Sequence, residues 1–164
     1  MRAYWSFGAV DVNAPLNIAN ARVAGFEDID VYFFPCSYGK PIDTQVEEFY
    51  ASVKNPKYVK ALLESDSNEA WGLQAGGYED TNSKEENISN FVHVPETGLR
   101  QKVLDASTEL KFGIVWVDVE TNPSPNCGWT TDFVKNCEFL SELVDKLKVK
   151  GFPVGIYLSN YMWN

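Results

Sequence analysis

Histidine is almost missing from this chain: His93 is the only one in 164 residues. Three cysteines, Cys36, Cys127 and Cys137, do not combine with it at zinc-ligand spacing, so a structural or catalytic zinc site is not expected. Positive charge is scarce as well. Lys and Arg number 14 against 23 Asp and Glu, giving a formal charge of −9 and a pI near 4.6. That balance argues against nucleic acid or an anionic membrane surface as partner, and suits a neutral or cationic polymer better. No apolar run approaches the length of a membrane span. The first residues, Met1 to Trp5, lack signal-peptide architecture. There are no internal repeats and no low-complexity segments.

What is present describes one globular domain. The length allows a real core but not two comfortable ones. Hydrophobic residues make up 45% and aromatics 14%, enough rings to furnish a core or a cleft. The cysteines leave a choice open. Cys127 and Cys137 could bridge if the loop between them folds back, but the spacing slightly favours free buried thiols. The odd count leaves at least one unpaired within the chain. Asn87-Ile88-Ser89 is a glycosylation sequon, and short sequons are common enough by chance to decide little.

The most informative stretch is Val115-Trp116-Val117-Asp118-Val119-Glu120. A β-branched, apolar run closed by Thr121-Asn122-Pro123 predicts a buried strand. Side chains alternate along a strand, so Asp118 and Glu120 share one side at its C-terminal end. Crowding two carboxylates raises the proton affinity of one, leaving an acid and a carboxylate near neutral pH. That pair is the equipment of glycosidic bond cleavage. On these six residues alone, two solvated or helix-capping acids weigh about equally.

Around this strand the order of elements predicts an α/β domain with a parallel sheet. Strands are expected over 1–7, 30–34, 112–120 and 153–159, with a loop at 8–13. Helices are expected over 14–25, closed by Gly25, over about 44–63, and over 131–150, closed by Gly151. Tyr161-Met162-Trp163 looks like the start of another helix. Between them, residues 64–110 show little periodicity, as an exposed insertion would. In parallel sheets and barrels, sites gather beyond the C-terminal strand ends. Those ends offer Ser6, Tyr4, Tyr32 and Tyr157 beside the acid pair. Each tyrosine taken singly is more simply explained by packing; taken together with the acids they favour a site.

The same residues resemble a known family. Val115 to Glu120, Cys127-Gly128-Trp129, Phe139-Leu140, Gly151 to Tyr157 and Trp163 are similar to glycoside hydrolase family 25, the lysozymes or N-acetylmuramidases. Arg2-Ala3-Tyr4, Gly8 with Asp11, Asn17-Ile18, Asn20-Ala21, Ala24-Gly25 and Asp30 to Cys36 agree with it. The flavour is that of nematode and amoeboid-protist members. The resemblance covers about residues 1–50 and 110–164 and leaves an insertion at about 54–108. It implies a (β/α) TIM-like barrel and cleavage of β-1,4 bonds between N-acetylmuramic acid and N-acetylglucosamine in bacterial peptidoglycan. Glu120 matches the proton donor and Asp118 its partner carboxylate, as nucleophile or stabiliser. Tyr32, Tyr157 and Tyr4 fall in the substrate groove. No metal or organic cofactor is implied. A monomer, extracellular or lysosomal and phagosomal, with an antibacterial or innate-immune role, is implied as well.

The chain also departs from the family pattern. It lacks a preceding strand carrying a further active-site Asp, and later strands carrying another, so a partial barrel, truncated at both ends, is expected. A non-catalytic remnant or carbohydrate-binding protein of the same fold is the alternative. A chitinase-like enzyme is weaker, because Val115 and Trp116 stand where spaced aspartates would be.

Overall fold

The computed structural model describes residues 1–54, 102, 105–106 and 110–159. Its elements run β1 (Arg2–Trp5), β2 (Ala9–Val10), α1 (Ala14–Val23), β3 (Val31–Phe33), α2 (Ile42–Lys54), β4 (Val115–Val119), α3 (Phe133–Val149) and β5 (Val154–Leu158). The strands form one sheet in the order β2-β1-β3-β4-β5. Strands β1, β3, β4 and β5 are parallel, and β2 runs antiparallel to β1. The predicted α/β architecture is therefore present as a five-stranded, mostly parallel sheet with three helices among the described residues. This sheet is not closed into a barrel. The expected insertion at about 54–108 falls almost entirely outside the described residues, as do His93, the sequon and the helix expected at 161–163.

Alternation along the strands divides the sheet. Val31, Phe33, Val115 and Val117 are fully buried on one face. They meet Ile18 and Ala19 of α1, Val46, Phe49 and Val53 of α2, and Leu143 and Leu147 of α3 in a single apolar core. The α2 and α3 residues recur three, four or seven apart, the spacing that puts them on one helical stripe. Rings tie the layers together: Phe33 meets Phe49 edge-on at 5.5 Å, and Phe49 meets Phe152 at 5.2 Å. Helix α3 starts where Asp132 accepts hydrogen bonds from the Val134 and Lys135 amides. It stops at Gly151, whose φ of 85° belongs to the left-handed region.

Two sequence expectations are corrected. Residues 8–13 are not only loop: Gly8, at φ 84°, turns the chain so that Ala9 and Val10 pair back onto Trp5 and Tyr4. The cysteines are not all free, and Cys127 does not bridge to Cys137. Cys36 and Cys127 form a disulfide across 91 residues of sequence, while Cys137 is exposed and free. Only the fold brings the ends of β3 and β4 together, so neighbouring spacing could not reveal the pair. Buried Gln45 fixes the first partner, accepting from the Cys36 amide at 3.0 Å and donating to its carbonyl at 2.8 Å.

Candidate active site

The second face of the sheet carries the acids. Along β4, Val115 and Val117 enter the core, so Trp116 and Asp118 project to the opposite side. Register then sets their neighbours: Trp116 lies opposite Tyr32 on β3 and Gly155 on β5, and Asp118 lies opposite Tyr157. Tyr32, Trp116, Asp118 and Tyr157, with Asp30, Val31 and Met1, line an open cavity of about 380 Å³. Gly155 is required there. A Cβ on it would stand 2.6 Å from two atoms of the Trp116 ring, which lies across the β5 backbone. Asp30 fixes the ring's other edge, accepting from the Trp116 indole at 2.9 Å and from the Ile114 amide at 2.8 Å. The indole bond first, then the amide, hold the Asp30 carboxyl below its usual range.

Asp118 is held differently. One carboxyl oxygen, Oδ1, is buried without a hydrogen-bond partner among the described residues. Burial first, then the charge of Glu120, raise its pKa above the usual aspartate value. Glu120 lies just past the last residue of β4, outside the cavity wall but close enough to act on Asp118 through its charge. Its backbone carbonyl accepts a hydrogen bond from the Trp129 indole at 2.9 Å. The structure thus brings Asp118, Tyr32 and Tyr157 to one cavity, with Glu120 outside its wall and within range of Asp118 through its charge.

Tyr4 is not with them. Strict alternation from Arg2, which pairs with Tyr32, would carry it to the same face. The register slips between Arg2 and Tyr4, however, and sets Tyr4 opposite Phe33. Its ring is fully buried and stacks on Phe33 at 4.3 Å, and its hydroxyl donates to Glu48 at 3.0 Å. Burial and then Glu48 push the phenol's pKa strongly upward, so it stays protonated. Tyr4 is a core residue. Conversely, Trp116 and Asp30 were not singled out from sequence as lining residues. For Trp116 the signal was available: it precedes Asp118 by two positions and must share its face.

Among the described residues, no three His, Cys, Asp or Glu side chains gather as metal ligands. Nor is any helix there long and apolar enough to cross a membrane.

A family model described as lysozyme-like protein 1 matches residues 100–164. Across 99% of its length the chain is 27% identical to lysozyme-like protein 5 of Caenorhabditis elegans. It is 26% identical, again over 99% of its length, to probable GH family 25 lysozyme 5 of Dictyostelium discoideum. Probable GH family 25 lysozyme 2 of the same organism is 28% identical over the same share. In each case the match covers 50% of the relative, so the chain spans about half the length of the curated relatives it matches. No solved structure matches. The chain is similar along its whole length to family 25 lysozymes and lysozyme-like proteins.

Proposed function

We propose that this chain carries the acid pair of a lysozyme-type glycosidase, acting on the β-1,4 bond between N-acetylmuramic acid and N-acetylglucosamine in bacterial peptidoglycan. The observation that carries this reading is Asp118, with one buried oxygen that has no partner among the described residues, in the wall of a cavity shared with Tyr32, Trp116 and Tyr157 and under the charge of Glu120. An unpaired buried carboxylate oxygen costs stability, and reaction chemistry is a reason to keep one.

In this reading the aromatic side chains stack on the apolar faces of the sugar rings and set the glycosidic bond over the strand ends. The proton that burial and the Glu120 charge favour on Asp118 in the free chain passes to Glu120 when substrate is bound, and Glu120 gives it to the leaving-group oxygen. Asp118, ionised at that moment, stabilises the positive charge that grows at the anomeric carbon, either directly as nucleophile or by steering the substrate's acetamido group. The growing positive charge compensates what burial and the Glu120 charge withhold from the Asp118 carboxylate, so the stabilisation is strongest in the transition state. The four parallel strands β1, β3, β4 and β5 form one arc of a (β/α) barrel, residues 1–164 are one partial domain, and 54–108 are an insertion in it. The setting is extracellular or lysosomal, and the protein works as a monomer.

The test is release of reducing ends from purified peptidoglycan by the chain and by its Glu120→Gln variant. The wild type should release them, and Glu120→Gln should lower the rate by about 10² to 10⁴-fold, the usual contribution of a positioned general acid. Equal rates in the two proteins would remove Glu120 from the acid role. No release by a cooperatively folding wild type would favour a carbohydrate-binding remnant.

A further inference from the structure

Glu120 follows the last residue of β4 that pairs with β5, Val119 opposite Leu158, so the sheet ladder does not hold its backbone. Other groups must. The segment that follows folds back over the C-terminal ends of β1 and β3, and one side chain joins all three strand ends. The Asn122 amide nitrogen donates to the Ser6 carbonyl beyond β1 at 2.8 Å and to the Pro35 carbonyl beyond β3 at 3.0 Å. Its oxygen accepts from the Ser124 amide at 2.8 Å, and the Ser124 hydroxyl meets that of Ser6 at 2.8 Å. Both amide hydrogens and the acceptor are thus engaged. Farther along, Ser37 holds the same segment through the Cys127 and Gly128 carbonyls, next to the Cys36–Cys127 disulfide. The segment then places Trp129, whose indole returns to the Glu120 carbonyl.

We infer that Asn122 is a positioning residue for Glu120: by latching the β4–α3 segment to the ends of β1 and β3, it fixes the Glu120 backbone from the C-terminal side while Trp129 fixes its carbonyl. The inference rests on the proposed acid role of Glu120. A misplacement near 1 Å at a proton donor costs about 10²-fold in rate, so a latch two residues away has a direct kinetic consequence. Neither Asn122 nor Trp129 lines the cavity, so substrate affinity should not depend on the latch.

Two variants test it. Asn122→Ala removes the side-chain bonds, and Asn122→Asp keeps the size while removing both donors. The first readout is solvent exchange of the Trp129 indole N–H, followed by nitrogen-labelled NMR and assigned with a Trp129→Phe variant. The second is kcat against KM on soluble peptidoglycan fragments. Both variants should speed indole exchange by at least about tenfold, the sign of local opening. They should also lower kcat by about 10 to 100-fold with KM within about twofold. Unchanged indole exchange in the isosteric variant, or unchanged kcat beside a lower thermal midpoint, would overturn the positioning role and leave Asn122 a structural residue. If the wild type hydrolyses nothing, indole exchange still decides: faster exchange upholds the latch on Glu120 and only the glycosidase reading falls.

Discussion

The two faces of the sheet obey opposite rules. On the helix side Val31, Phe33, Val115 and Val117 are completely covered, and the polar groups there are matched: Tyr4 with Glu48, Gln45 with the Cys36 and Lys40 backbone. On the other side a carboxyl oxygen is buried unpaired, Tyr157 is 58% exposed, and a tryptophan lies flat over a glycine. The strands are the same and differ only in parity. The difference teaches that β4 serves two ends at once, Val115 and Val117 holding the fold and Asp118 kept in a state that does not favour stability. Proteins tolerate such a face where it performs chemistry.

The contrast predicts unequal responses to the same kind of change. Phe49→Ala, on the covered side, removes a ring that bridges Phe33 and Phe152 and should cost about 3 to 5 kcal/mol in denaturant unfolding. A loss below about 1 kcal/mol would mean the helix side is not the tightly packed layer described. Tyr157→Ala, on the open side, should change stability by no more than about 0.5 kcal/mol, because the ring already faces solvent. It should nevertheless raise KM for peptidoglycan fragments by about tenfold, the scale of one lost aromatic contact. A variant that unfolds far more easily while binding normally would reverse the roles of the faces.

How far the sequence could be read follows the same division between local and long-range information. The β4 alternation, the Gly151 stop of α3 and the succession of strands and helices are set by neighbouring residues, and all were legible. Tyr4 was not, because a slip of register in β1 reverses the side a residue faces without leaving a mark in composition. Two-residue β2 is too short to show a period. The Cys36–Cys127 bridge joins residues 91 apart, and no local spacing encodes that. The same holds for Asn122, whose partners Ser6 and Pro35 are neighbours only after folding. Of the residues expected at strand ends, Asp118, Tyr32 and Tyr157 line one cavity, Glu120 lies outside its wall and Tyr4 lies in the core. The role of Trp116 as a wall needed the register with Gly155.

The most direct test of the claim that the open face sacrifices stability for chemistry is the thermal midpoint of Asp118→Asn against the wild type across pH. In the folded chain Asp118 holds its proton to higher pH than in the unfolded chain, because of burial and then Glu120. Its contribution to stability is therefore complete below the ordinary aspartate range and declines as pH rises through the folded titration. The variant cannot ionise there. It should match the wild type in acid and melt higher near neutral pH. A midpoint for Asp118→Asn that is lower than the wild type's at neutral pH would contradict the account, placing Asp118 among the groups that hold the fold together.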